Sequence, residues 1–325
     1  MSTTAFHRRA VLTGTAVALA LTATACGGSE DGKGGSQDAG GATHTVSTAM
    51  GEVEVPEDPQ RVVVLDTDAL DSAVTLGVQP VGAVAAEPGR PLSTYLPEKK
   101  LKGVETVGTI GTPNLEKINS LDPDLILSSK VRDEKNYDKL SAIAPTVFTE
   151  TTGPTWRENF TLHAEALGEE KKAEQVVADY EQHIEEVRET LGGPEQAKKS
   201  TVGFVRFIEG ADIRLYKNDT FIGSIFQDLG VGRPENQDGT GFSLDVSPEQ
   251  IDKAQADIIF YSTYGDPEKA DETKVTRSGL WKGLDAVQND RAFRVDDNLW
   301  MLGIGYTGAG QILDQMEKHL GGSDA

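Results

Sequence analysis

The stretch that most constrains the fold is residues 168–191, with the sequence GEEKKAEQVVADYEQHIEEVRETL. Its apolar side chains recur at helical spacing, and they are Ala173, Val176, Val177, Tyr180, Ile184, Val187 and Leu191. Glutamates open the stretch and Gly192-Gly193-Pro194 follows it, as is typical of the two ends of a helix. Such a helix is about 34 Å long, the width of a small domain. It either packs on a single core or joins two lobes.

Strand and helix patterns alternate on both sides of this stretch. RVVVL at residues 61–65 and DLILS at 124–128 are short apolar runs typical of buried strands. TVGFVRFI at 201–208 and DIIFY at 257–261 have the same character in the second half. Because helical patterns separate these runs, the sequence predicts an α/β fold with mainly parallel sheets.

The two halves also share an internal repeat. NLEKINSLDPDLILSS at residues 114–129 aligns without gaps on SPEQIDKAQADIIFYS at 247–262, which places Glu116 on Glu249. Leu-Gly-Val ends a helical pattern in each half, at residues 76–78 and 229–231. We therefore predict two related Rossmann-like lobes joined by one long inter-lobe α-helix. A ligand cleft is expected between the lobes, at the carboxyl ends of their strands.

The beginning of the chain has the pattern of an export signal. Arg8-Arg9 precede an apolar run at residues 10–25, which is too short and too rich in Ala and Thr for a membrane span. The paired arginine permits the twin-arginine route as well as the general one. The only cysteine, Cys26, follows Ala23-Thr24-Ala25 as in a lipoprotein cleavage site, although leucine is usual where Ala23 stands. We expect Cys26 to be lipidated; the alternative is a cysteine near the cleavage point by chance.

These patterns divide the chain into five segments. We predict an export signal at residues 1–25, a lipidated cysteine and flexible tether at 26–43, an N-terminal lobe at 44–167, the inter-lobe helix at 168–191 and a C-terminal lobe at 192–325. The tether is rich in Gly, Ser and acids, a composition that cannot build a core.

Composition excludes several classes of function. The formal net charge of −21 argues against nucleic acid as a partner. A single cysteine excludes a disulfide framework, and the five histidines have no ligand spacing, so we expect no directly coordinated metal.

Two motifs suggest an enzyme, but each has a simpler explanation. GIGYTG at residues 303–308 has the spacing of a dinucleotide fingerprint, yet too little chain follows it for the required second strand. Asp66 and Asp68 come directly after a strand, which is also the position of the aspartates in a Mg²⁺-dependent phosphatase. A helix N-cap with first-turn acids explains the same pair, so we predict no catalytic residues.

The order of these motifs resembles that of iron–siderophore-binding lipoproteins, the helical-backbone solute-binding proteins of ABC importers. The similarity spans residues 43–320 and includes WRENFTLHAEALG at 156–168 and LWMLGIGYTGAGQILDQME at 299–317. Within this family the chain is most similar to desferrioxamine and other hydroxamate-siderophore binders. The resemblance implies a monomeric receptor on the outer face of the cytoplasmic membrane. It would capture a ferric siderophore, with no other cofactor, and deliver it to an ABC permease.

The resemblance also implies roles for particular residues. Loops at the carboxyl ends of strands are expected to offer donors to the hydroxamate oxygens and apolar walls to the methylene arms. The candidates are Lys130, Arg132, Trp156, Arg206, Phe207, Phe242, Tyr264, Trp300 and Met301. Glu116 and Glu249 would each dock on arginines of the permease. Arg206 lies in an apolar strand, where an arginine needs a partner or a cleft. A solvated loop charge is the alternative for Lys130, and packing or helix-end positions are the alternative for the other residues. Trp281 is expected to belong to the core.

Other ligands remain open at this point. Within the binding class they are ferric citrate, a catecholate siderophore, haem and a cobalamin. From a different class, the alternative is a secreted phosphatase that uses Asp66 and Asp68.

Overall fold

The computed structural model describes residues 41–320. The export signal, Cys26 and most of the tether therefore lie outside the described residues. The first described element is a two-stranded antiparallel hairpin, whose strands are β1 (Thr43–Thr48) and β2 (Gly51–Pro56). No helix within residues 41–320 is long and apolar enough to cross a membrane.

The N-terminal lobe is a six-stranded sheet with helices on both faces. Its strands are β3 (Val62–Val64), β4 (Gly82–Ala85), β5 (Glu105–Thr109), β6 (Thr112–Pro113), β7 (Leu125–Ser129) and β8 (Thr146–Thr149), in the spatial order β6-β5-β4-β3-β7-β8. All pairs are parallel except β5 and β6. The helices are α1 (Thr67–Leu76), α2 (Glu98–Leu101), α3 (Leu115–Ser120), α4 (Lys130–Asp133), α5 (Tyr137–Ser141) and α6 (Trp156–Leu167).

A single helix, α7 (Glu170–Thr190), joins this sheet to the second one. At 1.5 Å per residue it spans about 31 Å. Gly168 takes the left-handed conformation that ends α6, with φ of 70°, so the chain turns directly from α6 into α7. The buried face of α7 consists of Ala173, Tyr180, Ile184 and Val187. These are four of the apolar positions that predicted the helix, which the structure confirms.

The C-terminal lobe is a five-stranded sheet with its own helices. Its strands are β9 (Val202–Ile208), β10 (Ile213–Tyr216), β11 (Ser243–Val246), β12 (Ile258–Tyr264) and β13 (Ala292–Arg294), in the spatial order β11-β10-β9-β12-β13. The helices are α8 (Pro194–Ala197), α9 (Phe221–Leu229), α10 (Glu272–Thr276), α11 (Gly279–Lys282), α12 (Asp285–Gln288), α13 (Asp297–Trp300) and α14 (Tyr306–Leu320). Strands β9, β12 and β13 are parallel to one another.

The predicted repeat corresponds to equivalent parts of the two sheets. In the first, the edge strand β6 leads through α3 into β7; in the second, the edge strand β11 leads through a 3₁₀ helix, Pro248–Ala254, into β12. The prediction of two α/β lobes joined by one long helix is therefore confirmed.

One continuous core extends across the lobe junction. It contains buried residues of α1 and α6 from the first lobe, of α7, and of α9 and α14 from the second. Two smaller clusters lie on the outer faces of the sheets, and Trp281 belongs to the one in the C-terminal lobe, as predicted. Because the large core joins both lobes, burial of apolar surface holds them together at the α7 side.

Candidate functional site

A cleft opens between the lobes where strands of both sheets end. Its volume is about 320 Å³, within the range of small-molecule sites. The N-terminal lobe contributes the loop after β4, and the residues of this loop in the wall are Ala86, Glu87, Arg90, Pro91 and Thr94. The C-terminal lobe contributes the ends of β12 and β13 and the start of α13, including Tyr264, Arg294, Asp296, Asp297 and Asn298. The predicted cleft at the carboxyl ends of the strands is thus present.

Polar contacts join the loop after β4 to the C-terminal lobe. The backbone N and the Oγ1 of Thr94 lie 3.0 and 2.8 Å from Oδ1 of Asn298 and donate to it. Tyr264 of the C-terminal lobe lies near Glu87 of this loop, and burial together with the Glu87 carboxylate raises the pKa of the Tyr264 phenol. The loop after β4 is therefore held against the second lobe while its outer part remains open to solvent.

Arg206 lies behind this wall and is fixed by an acid of the cleft. Its Nε and Nη2 donate to the two carboxylate oxygens of Asp297, at 2.8 and 2.6 Å, and its guanidinium lies 4.9 Å from the ring centre of Tyr264. Burial lowers the pKa of Arg206, but the hydrogen bonds and charge of Asp297 outweigh it, so the net pKa is raised. The prediction that Arg206 needs a partner or a cleft is met by Asp297.

The two arginines of the cleft wall are more exposed than Arg206. The Arg90 side chain is 64% exposed and lies 3.2 Å from Glu87, one turn before it. The Arg294 side chain is 53% exposed, and its Nε donates to Glu272 at 2.8 Å. Each arginine thus has one carboxylate partner and keeps N–H groups that can reach a ligand.

Lys130 and Arg132 begin α4 at the carboxyl end of β7, outside the cleft wall described above. The ammonium of Lys130 lies 3.1 Å from Glu150, and Nε of Arg132 lies 3.4 Å from the buried Asp66. Both therefore have intramolecular partners. Their predicted contact with a ligand stays a prediction.

Three aromatic candidates are buried in the core, namely Trp156, Phe207 and Trp300. Trp156 is 1% exposed and donates its indole N–H to Ser224 Oγ at 2.9 Å. Trp300 is fully buried, stacks on Phe260 and donates to Gln315 at 2.7 Å. In this conformation a ligand cannot reach these rings, so we revise the expectation that they form the walls of the site. The sequence pattern predicted that these residues lie near strand ends, but in the structure their rings are packed inside the core.

The remaining aromatic and apolar candidates differ in exposure. Tyr264 lines the cleft, as expected. Phe242 is 53% exposed and packs edge-on against Tyr216 at 5.1 Å, at the outer strand of the sheet. Met301 is partly buried against the core beside the cleft residue Leu302. Of the nine predicted ligand residues, only Tyr264 lies in the wall of the cleft itself.

Sequence reasoning missed most of the residues that line the cleft. The loop EPGRP at residues 87–91 directly follows β4, and VDDN at 295–298 directly follows β13. The available signal was charged side chains directly after a strand, which applies to β4 and β13 as it does to β7 and β12.

Asp66 and Asp68 are buried, and most of their hydrogen-bond partners are neutral groups. Asp66 caps α1, accepting from its Thr67 backbone N–H at 2.8 Å, and it accepts from Ser129 Oγ at 2.7 Å. Burial, together with the charge of Asp68, raises the pKa of Asp66 to about 6. The N-cap interpretation is confirmed, and neither carboxylate is open to a phosphate substrate because both are at most 2% exposed.

Glu116 and Glu249 occupy equivalent, exposed positions. Glu116 lies in the first turn of α3 and Glu249 in the first turn of the 3₁₀ helix before β12. Within residues 41–320, no group of three or more His, Cys, Asp or Glu side chains is arranged to hold a metal ion.

Comparison with known proteins identifies the family. Residues 62–299 match the family model described as periplasmic binding protein. The Probable siderophore-binding lipoprotein YfiY of Bacillus subtilis is 41% identical over 85% of this chain and 87% of its own. The Fe(3+)-citrate-binding protein YfmC of the same organism is 30% identical over 86% and 87%.

A solved structure has the same fold. The crystal structure of Staphylococcus aureus SirA complexed with staphyloferrin B is 35% identical, with a TM-score of 0.75, and the match covers 86% of this chain and 98% of SirA. The chain therefore belongs to the periplasmic binding protein family and is a binding protein rather than an enzyme.

Proposed function

We propose that this protein is an extracytoplasmic receptor that binds a ferric siderophore in the inter-lobe cleft and delivers it to an ABC importer. The observation that carries the proposal is the cleft of about 320 Å³ at the strand ends of both lobes. The names and ligands of the relatives support a siderophore as the ligand. Because a siderophore supplies the iron ligands itself, the receptor needs only walls and hydrogen-bond donors.

We propose a ferric hydroxamate of the ferrioxamine type as the first candidate. When the partners of the wall residues are included, four carboxylates face three arginines, so the formal charge is −1; the acids are Glu87, Glu272, Asp296 and Asp297, and the arginines are Arg90, Arg206 and Arg294. Such a wall favours a neutral or cationic chelate over an anionic one. Arg206 and Arg294 have their acids as hydrogen-bond partners, so neither is an uncompensated cation.

The second candidate is a ferric carboxylate chelate such as ferric citrate. The exposed guanidinium groups of Arg90 and Arg294 favour it, because arginine binds carboxylates through paired hydrogen bonds. The citrate-binding relative adds support. The two candidates differ in how strongly they should depend on these arginines.

Delivery would use the two lobes symmetrically. Glu116 and Glu249 lie at equivalent helix starts, one in each lobe, and both side chains are exposed. We propose that they contact basic residues of the permease, which would set encounter and register. The proposal also includes a lipid anchor on Cys26, export by either route, and a monomeric state.

The first experiment is calorimetric titration of the purified protein with ferrioxamine B. Parallel titrations use metal-free desferrioxamine, ferric citrate, ferric enterobactin and haem. Calorimetry is preferable to tryptophan fluorescence because all three indoles are buried away from the cleft wall. Submicromolar binding of ferrioxamine B alone supports the hydroxamate proposal. Binding of another iron chelate alone would replace the ligand, and no binding of any would reject the receptor role.

Variants of the cleft distinguish the two candidates further. Arg90→Ala should lower the affinity for ferric citrate about tenfold or more, but the affinity for ferrioxamine B less than threefold. Only ferric citrate carries carboxylates that could bind the Arg90 guanidinium. Arg277→Ala, an exposed arginine outside the cleft wall, is the matched control. An equal loss for both chelates would contradict the assignment.

The docking proposal is tested separately by iron uptake in cells. Glu116→Ala and Glu249→Ala together should reduce uptake while the affinity for the ligand stays unchanged. Glu174→Ala on the exposed face of α7 serves as the control. Normal uptake by the double variant would exclude these residues from docking.

A further inference from the structure

The glycine-rich start of α14 is occupied by a carboxylate from the other lobe. Gly305 has φ of +149°, and a Cβ built there would lie 2.2 Å from Oδ1 of Asp71 on α1. In nucleotide-binding loops, glycines at a helix start allow a phosphate to approach the backbone N–H groups. Here the same geometry admits Asp71. The pattern of residues 303–308 is thereby explained without a nucleotide.

Asp71 is fully buried and accepts four hydrogen bonds. The backbone N–H groups of Thr307 and Gly308, both in the first turn of α14, donate to Oδ1 and Oδ2 at 3.1 Å each. Tyr95 OH donates to Oδ2 at 3.0 Å, and Thr75 Oγ1 donates to Oδ1 at 3.1 Å. A carboxylate has about four lone-pair sites, so Asp71 is fully satisfied.

One of these donors belongs to the loop that lines the cleft. We call residues 86–96 the strap; its outer part carries Arg90, Pro91 and Thr94 in the cleft wall. Tyr95 anchors the strap twice, because its hydroxyl donates to Asp71 and its carbonyl accepts from Gln311 of α14 at 3.1 Å. The strap carries no regular helix or strand, so these contacts, together with the hydrogen bonds between Thr94 and Asn298 and the packing of Leu96 in the core, hold it in place.

We infer that Asp71 is a positioning residue for the ligand cleft, which joins the strap to the first turn of α14. Through Tyr95, Asp71 holds the strap, which is the part of the cleft wall that the N-terminal lobe contributes. Through Thr307 and Gly308 it holds α14, which follows the part of the wall formed by the start of α13. The inference rests on the proposed function only in that the cleft is the place where the ligand binds.

The test compares two tyrosine-to-phenylalanine substitutions in the full-length protein. Tyr95→Phe removes one donor to Asp71 and leaves the first turn of α14 capped. Tyr137→Phe, in which the ring packs on Phe148 in the outer cluster of the same lobe, is the matched control. The first measurement is amide hydrogen exchange of residues 93–96 without ligand, and the second is affinity for the chelate that binds best.

We expect Tyr95→Phe to speed exchange in residues 93–96 about tenfold, since a buried hydrogen bond to a charged group is lost. Affinity should fall about fivefold, and Tyr137→Phe should change neither quantity. Asp71→Asn should speed exchange both in the strap and in the first turn of α14, because one backbone N–H would then face an amide donor.

The outcomes separate this inference from the proposed function. Unchanged exchange in the strap of Tyr95→Phe, or faster exchange with unaltered affinity, would overturn the positioning role. If no iron chelate binds the unaltered protein, the proposed function fails, and the affinity part of the inference fails with it. Exchange would still decide whether Asp71 joins the strap to α14.

Discussion

The two lobes have related sheets, but their buried carboxylates have different kinds of partners. In the C-terminal lobe, Arg206 is paired with Asp297 and Arg294 with Glu272. In the N-terminal lobe, Asp66, Asp68 and Asp71 are fully buried, and most of their partners are neutral hydroxyl, amide and backbone N–H groups. Arg132 is the only cation in contact with them among the described residues.

This difference predicts which lobe loses stability when a partner residue is removed and which lobe responds to pH. Removal of one partner of a buried arginine–carboxylate pair leaves an uncompensated charge, so the second lobe is vulnerable mainly to loss of one partner. Burial raises the pKa of Asp66 and of Asp71 to about 6, so these two carboxylates can take up protons as the pH falls to about 6, and burial also raises the pKa of Asp68. The first lobe should therefore be the one that responds to pH.

The largest effect is expected from breaking the buried pair of the second lobe. Asp297→Ala leaves Arg206, whose side chain is 11% exposed, without its carboxylate, and Ser262 Oγ also loses its acceptor. We expect a loss of about 3–5 kcal/mol in the free energy of unfolding. Urea denaturation measures it, and a loss below about 1 kcal/mol would show that Arg206 finds another partner.

The next effect tests the pH response of the first lobe. Burial raises the pKa of Asp66 from its usual 3.8 to about 6, so the folded protein takes up this proton before the unfolded chain does as pH falls. Protonation therefore stabilises the fold, and the gain is lost as pH rises through about 6. Asp66→Asn keeps the N-cap and removes this titration.

Between pH 7 and 5 the unaltered protein should gain about 1 kcal/mol relative to Asp66→Asn. The difference between the two proteins is the quantity to measure, because His163 acts in the opposite direction. Its burial lowers its pKa to about 4, so its contribution is lost as pH falls below its usual value. A difference that does not change with pH would contradict the comparison between the lobes.

The smallest effects are expected at exposed ion pairs, where the lobes should behave alike. Lys130 and Glu150 in the first lobe are 3.1 Å apart, and Arg214 and Asp245 in the second are 3.7 Å apart. Alanine at either cation should change the free energy of unfolding by less than about 1 kcal/mol. Double-mutant cycles that give coupling above that value in one lobe alone would show that surface pairs also distinguish the lobes.

Much of the architecture could be predicted because it depends on local patterns. The apolar spacing of α7, the buried strands and the repeat around Glu116 and Glu249 each lie within a short stretch of sequence. Asp66 as an N-cap is equally local, since it needs only the residues that follow it. These features were therefore available from the chain alone.

The cleft could be predicted less well because its contacts join distant residues. Arg206 was identified as needing a partner, but Asp297 lies 91 positions away and nothing in either neighbourhood points to the other. The glycines of residues 303–308 admit Asp71, more than 230 positions earlier. Trp156 and Trp300 look like cleft residues by sequence, and only the three-dimensional packing shows that the core covers them.

Because Trp156 is buried where the two lobes meet, its fluorescence can report a rotation of one lobe against the other. The indole packs edge-on against Tyr180 of α7, Phe221 of α9 and Tyr306 of α14, while its own helix belongs to the first lobe. A rotation of one lobe against the other must alter this ring cluster, even though no ligand touches it. In a protein whose other tryptophans, Trp281 and Trp300, are replaced by phenylalanine, the emission wavelength of Trp156 would report domain rotation and not ligand contact.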